Sequence, residues 1–334
     1  MLKYILKRIL MVIPVLLGVT VIIFLITRVL APDPAPVVLG EHATTEAMAA
    51  WRADNGLDDP IWLQYINFIV GALQGNLGTS YYTHQPVTAE IAARFPATAE
   101  LAICAIIVAS IVGVALGVLA AVKKNKAADN VSMLIALVGV SMPIFWSGIL
   151  LILLFSGILH WLPSSGRVSP LLQPSGGTGF FILDTIMQGN WAGLADVLVH
   201  LILPTLALSL YSMAIITRMT RSSMLETLNA DYIRTARAKG LSKGSVNIKH
   251  ALRNAILPVI TYVGPMLAGL MTGSFVVEKI FSIPGLGRDF VSAITNRDYM
   301  MIMGTTILLA TLVIVANVVV DILYKIIDPR IKLK

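Results

Sequence analysis

The sequence predicts an all-α integral membrane protein with six transmembrane helices and both termini in the cytoplasm. Hydrophobic residues make up 57% of the 334 residues and charged residues 13%, whereas soluble domains typically carry about 25% charged residues. The mean hydropathy is +0.82. The apolar residues form stretches of about 20 or more, long enough to cross a hydrocarbon core of roughly 30 Å as helices. Lys and Arg, finally, concentrate on one side of the predicted membrane.

Six apolar stretches are the predicted spans. They cover residues 9–30, 99–122, 131–159, 197–217, 255–277 and 301–327. The first lacks a small-residue cleavage site, so we expect a retained span and not a signal peptide. Pro14 and Pro143 lie inside two of the stretches and predict kinks, which a helix bundle tolerates because neighbouring groups can satisfy the freed carbonyls.

The distribution of basic residues predicts the orientation, because Lys and Arg in short loops stay on the cytoplasmic side. With six spans, the two termini and the loops after the second and fourth spans share one side, which carries eighteen of the 25 Lys and Arg. The other seven are Arg28, Arg52, Arg94, Arg167, Lys279, Arg288 and Arg297. The net charge of +7 therefore follows membrane topology, and we expect no nucleic-acid partner.

The spans divide the chain into an N-terminal tail with the first helix (1–30), a periplasmic loop subdomain (31–98) and a transmembrane core (99–334) with a cytoplasmic segment at 218–254. Loop 31–98 is too long for a plain connection, so we expect it to fold locally. Within it, Trp62 to Leu73 reads as a short amphipathic helix. Its excess of acidic residues fits either a soluble surface or docking to a basic patch on a soluble partner.

The cytoplasmic segment 218–254 is long, basic and patterned for helix. Apolar residues recur at helical spacing at Leu225, Leu228, Tyr232 and Ala236. Gly240 predicts a helix stop, and Ser242 or Ser245 a cap for a second short helix. The pattern predicts a helix-turn-helix parallel to the membrane, which is either a docking element for a soluble motor or an amphipathic loop that binds anionic lipid.

A resemblance to a known family narrows these alternatives. Residues 231–242 (DYIRTARAKGLS) and 250–258 (HALRNAILP) resemble the cytoplasmic "EAA" loop of ATP-binding-cassette importer permeases of the peptide and nickel class. Further matches are GLD at 56–58, GNLGTS at 75–80, SMPIFW at 141–146, RMTRSSMLE at 218–226 and FSIPGLGR at 281–288. Within the class, the chain is most similar to the B-type permease subunits of dipeptide importers.

Three positions depart from the family pattern. Arg234-Thr235-Ala236 stands where Glu-Ala-Ala is expected, and the stretch from Gly240 to Pro258 is longer than in sugar-type permeases. Both departures are usual in the peptide and nickel class. Residues 31–34 read APDP where Pro-Gly-Asp-Pro is expected, which bears on the substrate more than on the fold.

The resemblance implies a type I importer fold in a bacterial inner membrane. It implies a homologous second permease subunit, two ATPase subunits that each grip one permease's cytoplasmic loop, and a periplasmic substrate-binding protein that delivers peptide. The residues that the resemblance assigns to the coupling loop are Asp231, Tyr232, Arg234, Thr235, Ala236, Arg237, Ala238, Lys239, Gly240, Leu241 and Ser242. ATP-driven closure of the ATPase pair would open the pathway outward.

The sequence contains no recognisable motif for catalysis, for nucleotide binding or for metal binding. No GxxxxGK[ST] loop for phosphates and no HExxH motif occurs. Cys104 is the one cysteine, and the five histidines are scattered among separate loops and span ends. We therefore expect no catalytic residue, no metal and no cofactor, with ATP used by the partner subunits.

A few span residues are candidates for the pathway or for helix packing. Asn317 and Asp321 lie four apart on the sixth span and hence on one face. Gly264, Gly269 and Gly273 form a small-residue face on the fifth span, which suits close helix packing or a pore for variable cargo. Gly113 and Gly117 repeat the GxxxG spacing on the second span.

Other functions remain open at this stage. Nickel, haem, longer peptides or antimicrobial peptides are alternative cargoes for the same class of importer. A self-sufficient proton-coupled carrier would need paired ionisable residues in mid-span and recognisable repeated halves. A membrane-embedded enzyme would need a convergent catalytic set. The sequence shows neither.

Overall fold

The computed structural model describes residues 2–40 and 42–327, with side chains over 10–40 and 42–318. All regular elements of the described residues are helices. One isolated β-bridge in this part of the chain joins Thr79 and Pro86. The predicted all-α class is confirmed.

The helices follow one another in short and long pieces. In chain order they are α1 (Leu2–Leu25), α2 (Ala35–Leu39), α3 (Thr45–Asp54), α4 (Ile61–Leu73), α5 (Val87–Val122), α6 (Ala127–Ser141), α7 (Ile144–Leu151), α8 (Phe181–Met187), α9 (Trp191–Leu228), α10 (Asp231–Ala238), α11 (Arg253–Ala255), α12 (Leu257–Gly273), α13 (Phe275–Ile280), α14 (Leu286–Thr295) and α15 (Tyr299–Ile327). Residues Ile26–Leu30, Ile152–Ile158 and Ser245–Leu252 are π-helical, and Pro170–Leu172 is a 3-10 turn. The predicted helix Trp62 to Leu73 is confirmed as α4.

Four of the described helices are long and apolar enough to cross a membrane, and two bent helix pairs raise the number of candidate spans to as many as six. Two predicted spans were too short. The second was expected to begin at Ala99, but α5 begins at Val87, and the fourth was expected over 197–217, but α9 covers Trp191–Leu228. With 36 and 38 residues they are about 54 and 57 Å long at 1.5 Å per residue. The apolar stretches therefore predicted only a part of each of these two helices.

The third predicted span, 131–159, is not a kinked helix but a broken one. Its two halves, Ala127–Ser141 and Ile144–Ile158, meet at 109°. Pro143 has no N–H to continue the helix, and Met142 before it takes the extended conformation that precedes proline (ψ 127°). By contrast, α1 runs through Pro14 without interruption.

The chain divides into two compact units, of which the first comprises residues 1–97 and 284–314. Its buried core includes Tyr81, Val87, Ile91, Leu286, Ala293, Tyr299, Met301 and Ile302. Asp298 begins α15 as its N-cap: the carboxylate accepts hydrogen bonds from Ser80 Oγ and from the backbone N–H of Tyr81 and Met301. The start of α15 is thereby fixed to the loop that precedes α5.

The second unit comprises residues 98–283 and 315–334, and α9 is its central element. Glycines let the neighbouring helices approach it closely. A Cβ on Gly117 of α5 would lie 2.5 Å from Thr220 Cβ and 2.7 Å from Thr217 O, and a Cβ on Gly139 of α6 would lie 2.9 Å from Leu210 O. The GxxxG spacing of Gly113 and Gly117 therefore serves helix packing.

Within this second unit, a buried ion pair fixes the segment that precedes α8 to helix α5. Arg167 Nη2 donates to Glu100 Oε2 at 2.6 Å and to the carbonyl of Gly179 at 3.0 Å. Glu100 Oε1 accepts the backbone N–H of Ile182 at 2.8 Å, and the guanidinium lies 3.8 Å from the centre of the Phe181 ring. Both charges are thus paired and hydrogen-bonded, as burial requires.

Gly117→Ala is expected to lower the melting temperature of the purified protein in detergent, because the added methyl would overlap Thr220. Overpacking costs about 1–3 kcal/mol, more than the roughly 0.5–1 kcal/mol that alanine gains over glycine inside a helix. Gly18→Ala is the matched control, since no atom lies within 4 Å of its Cβ position. Equal gains in melting temperature for both variants would contradict the packing.

Candidate functional site

The segment 218–254, predicted to be cytoplasmic, folds as the end of α9, two short helices and the turns between them. The predicted periodicity from Leu225 to Ala236 does not form one helix, because α9 ends at Leu228 and α10 begins at Asp231. Asn229 and Ala230 redirect the chain between the two helices. Leu225, Leu228 and Ala236 then lie in or against one common apolar core, whereas Tyr232 of the predicted stripe is exposed and Ile233 takes its place in the core.

The predicted stop and cap are confirmed. Gly240 follows α10 with φ +76°, a left-handed conformation that glycine adopts without strain. Ser242 Oγ then accepts the backbone N–H of Ser245 at 3.3 Å, which caps the start of the next helical stretch. A helix-turn-helix is thus built around Gly240.

One side of the helix-turn-helix is buried in an apolar core. Ile233 and Ala236 of α10 pack in the same cluster as Met224 of α9 and Ala121 of α5. Val246, Ala251 and Ala255 complete the cluster from the second helical stretch. Because Ile233 and Met224 are fully buried, α10 is anchored to the ends of two long helices.

The other side is exposed. Of the eleven predicted coupling residues, Ala236 alone is buried, while the remaining ten are exposed: Asp231, Tyr232, Arg234, Thr235, Arg237, Ala238, Lys239, Gly240, Leu241 and Ser242. Tyr232, Leu241 and Ile248 expose 45%, 41% and 57% of their surface. Three large apolar side chains on one polar protrusion make a surface suited to a protein partner.

Polar contacts tie the two short helices together. Asn254 Nδ2 donates to Tyr232 Oη at 2.8 Å and to the carbonyl of His250 at 3.3 Å. Arg234 forms an exposed ion pair with Asp231 at 3.3 Å, which contributes little to stability. The Tyr232–Asn254 contact is the cross-link that keeps the helices in one arrangement.

A basic groove of about 410 Å³ lies beside the helix-turn-helix. Its charged lining residues are Lys124, Arg237 and Lys243, and its apolar ones include Leu228 and Leu241. The groove therefore offers positive charge beside apolar surface, a combination that complements an acidic and partly apolar partner.

Sequence reasoning missed the ion pair that braces this segment. Arg221 of α9 binds Asp129 of α6 in a bidentate manner, with Nε at 2.7 Å and Nη2 at 2.8 Å. Asp129 is buried, and its Oδ2 also accepts the backbone N–H of Asn125 at 2.9 Å. In the sequence, Arg221 indicates only topology, as one of the basic residues, and the family, as part of the match at 218–226. The sequence clue was an acidic residue at the very start of an apolar stretch.

The small residues of the fifth span do not pack as one face. Gly264 is buried, but no atom lies within 4 Å of the Cβ positions of Gly269 and Gly273. These two glycines line a cleft of about 280 Å³ together with Tyr211 and Tyr262. Close packing within the described part of the chain thus does not explain Gly269 and Gly273.

The remaining span candidates lie at the limit of the described side chains. Asn317 is half-buried on α15. The Asp321 side chain lies outside the described residues, so a role for Asn317 and Asp321 on one face of the span stays a prediction. Among the described residues, no three His, Cys, Asp or Glu side chains come together as a metal site.

Two family descriptions match the chain. Residues 113–333 match "Binding-protein-dependent transport system inner membrane component". Residues 1–102 match the N-terminal part of the membrane component of the same kind of transport system. The segment 218–254 lies wholly within the first match.

Curated relatives match over the full length. The dipeptide transport system permease protein DppB of Escherichia coli (strain K12) is 45% identical, covering 100% of both chains. The protein of the same name from Alkalihalophilus pseudofirmus is 46% identical over 99% of this chain and 100% of its own. The di/tripeptide transport system permease protein DppB of Pseudomonas aeruginosa is 44% identical over 99% of each.

Asp129→Asn is expected to destabilise the protein by about 2 kcal/mol, because it leaves the Arg221 guanidinium without its carboxylate in a half-buried place. Thermal unfolding of the purified protein measures the effect. Asp231→Asn is the matched control, since its ion pair with Arg234 is exposed, and it should leave the melting temperature nearly unchanged. Equal changes in melting temperature for the two substitutions would show that the Asp129–Arg221 pair does not stabilise the fold.

Proposed function

Because this chain belongs to the family of binding-protein-dependent transport system inner membrane components, we propose that it is one permease subunit of an ATP-driven importer for dipeptides and other short peptides. The family is that of non-catalytic permeases of ATP-binding-cassette importers. The proposed cargo rests on relatives named for dipeptide and di/tripeptide transport at 44–46% identity over nearly the whole chain.

One observation carries the coupling role: the exposed helix-turn-helix around Gly240 is anchored on the ends of α5 and α9. A soluble ATPase subunit that grips α10 would move Ile233 and Ala236 against Met224 and Ala121. Packed cores shift between discrete arrangements and do not deform continuously. Movement of α10 is therefore passed to the helices.

The long helix α9 gives this movement a route into the membrane. Its 38 residues form one helix, so a displacement at its cytoplasmic end acts on the spanning part as well. The Asp129–Arg221 pair carries the displacement to α6. Alternating access would then be a change in the balance of two states, driven by a partner that binds them with different affinity.

The partners follow from this role. We propose a homologous second permease subunit, two ATPase subunits on the cytoplasmic side and a periplasmic substrate-binding protein on the other. The chain has no phosphate-binding GxxxxGK[ST] loop, so ATP is bound by the ATPase subunits, and we propose no resident cofactor or metal.

We further propose the topology that the basic residues indicate. Six spans cross a bacterial inner membrane, both termini lie in the cytoplasm, and 31–98 is a periplasmic subdomain. The spans of the core, 99–334, would form half of the pathway. The cleft with Gly269, Gly273, Tyr211 and Tyr262 is the best-supported wall of that pathway, because its glycines face open space; Gly264, Asn317 and Asp321 are the other candidates.

Arg237→Glu is expected to lower ATP-dependent uptake at least tenfold in proteoliposomes that contain the complete importer. Reversal of this charge places two like charges across the proposed contact with the ATPase subunit. Co-purification of the ATPase subunits should fall in parallel. Lys126→Glu, which makes the same charge change on another cytoplasmic loop, is the control and should retain uptake.

Gly240 offers an independent test of the same contact. Gly240→Val forces a β-branched residue to φ +76° and should uncouple ATP hydrolysis from uptake. Gly240→Asn, which tolerates this conformation, should retain coupling. Unchanged assembly and uptake in both Gly240→Val and Arg237→Glu would refute the coupling role.

Cargo is tested separately, by uptake of labelled dialanine through the complete importer in the presence of unlabelled competitors. Other di- and tripeptides should compete, whereas haem and Ni²⁺ should not. Uptake of haem or nickel in place of dialanine would overturn the cargo and leave the permease assignment intact. Uptake by the isolated chain without ATPase subunits would identify a secondary carrier.

A further inference from the structure

Arg28 lies at the outer end of the first candidate span, Leu10–Leu30, in the first unit. Among the described residues, Nε and Nη1 of Arg28 are buried without a hydrogen-bond partner, and its Nη2 reaches only Met300 Sδ, at 3.9 Å. Within the same part of the chain, the nearby Tyr81 Oη is likewise buried without a hydrogen bond of good geometry. Burial raises the pKa of this phenol, and the Arg28 charge opposes the rise. The guanidinium therefore has no carboxylate partner among the described residues, and the polar group beside it is the Tyr81 phenol.

Other arginines in buried or half-buried places have carboxylate partners. Arg167 pairs with Glu100 at 2.6 Å, Arg221 with Asp129 at 2.7 Å, and Arg94 with Asp289 at 2.9 Å. An ionisable side chain in a span without such a partner is costly. Arg28 thus has the donors that a carboxylate needs, and no carboxylate of the described residues accepts a hydrogen bond from its Nε or Nη1.

Arg28 lines a cavity of about 220 Å³ within the same unit. Phe24 and Phe68, whose rings stack at 6.3 Å, give it an apolar side. Its polar lining is Asn55, Asp59, Gln64, Asn67 and Asn76. The cavity combines a cation, an anion, several amides and an apolar wall, and its volume suits a ligand smaller than a typical drug.

We propose that the Arg28 cavity binds a short peptide through its C-terminal carboxylate, as a subsite that the cargo occupies on its way to the pathway. The inference rests on the proposed transport of peptides. Guanidinium groups bind carboxylates by paired, charge-assisted hydrogen bonds. Asp59, which lines the same cavity, is the acceptor for the peptide's ammonium group.

The amide side chains suit the middle of such a ligand. The side-chain amide of Asn67 makes no hydrogen bond within the described part of the chain and lines the cavity, so both its donor and its acceptor are available to a peptide bond. The Phe24 and Phe68 rings offer apolar contact to a small aliphatic side chain. A zwitterion with one peptide bond therefore matches the lining in charge and in hydrogen-bonding groups.

The test measures binding of L-alanyl-L-alanine and of its C-terminal amide to the full-length chain in lipid nanodiscs, by saturation-transfer NMR without a binding protein. The wild-type chain should bind dialanine at least tenfold more tightly than the amide, because the amide lacks the carboxylate charge. Arg28→Gln should lower the dialanine affinity to that of the amide. Arg28→Lys, which keeps the charge without the bidentate geometry, should fall between them.

Arg52→Gln is the matched control, because Arg52 belongs to the same unit and is already paired with Asp33 at 3.2 Å; it should bind dialanine as the wild type does. Absence of dialanine binding, or equal affinity for dialanine and its amide in the wild type, would overturn the subsite. This comparison needs no variant to fold. Dialanine uptake by the complete wild-type importer tests the proposed function independently, so the two failures are distinguishable.

Discussion

The close approach of α5 and α6 to α9 is the constraint on which the second unit depends. Lipid tails are as apolar as leucine, so helices in a membrane gain little from hydrophobic contact and associate through tight packing and polar contacts. Gly113, Gly117 and Gly139 supply the packing, since a Cβ at each would lie within 3 Å of α9. The Asp129–Arg221 pair supplies the polar contact. These contacts join the three helices into one closely packed group.

The proposed coupling segment, 218–254, packs against this group of helices. Its core residues are small or fully buried, and its outer surface is polar with three exposed apolar side chains. A partner can therefore bind the outer surface without disturbing the core. In the proposed coupling, the force on α10 acts through the packed contacts of Ile233 and Ala236. We therefore propose that these two residues transmit the movement and that the exposed Arg237 and Leu241 contact the partner.

Satisfied and unsatisfied charges mark different roles in this chain. Glu100 and Arg167 hold the segment that precedes α8 by several hydrogen bonds, and Asp298 does the same for the start of α15. Arg28 has comparable burial at its donor atoms but no carboxylate. A complete set of contacts stabilises the fold by itself. An incomplete set leaves interaction energy available to a ligand, which is why Arg28 and not Arg167 carries the proposed subsite.

The sequence by itself determined the helical class, the approximate spans, the stop at Gly240 and the cap at Ser242, because composition, hydropathy and turn chemistry are local. The motifs at 231–242 and 250–258 also indicated the family. Only the tertiary structure decided that α9 continues to Leu228, that the chain turns by 109° at Pro143, and that Gly113 and Gly117 pack while Gly269 and Gly273 face a cleft. The same spacing of glycines fits either outcome, since the neighbour that fills or leaves the space comes from a distant part of the chain. The pairing of Asp129 with Arg221, 92 residues apart, is beyond local pattern for the same reason.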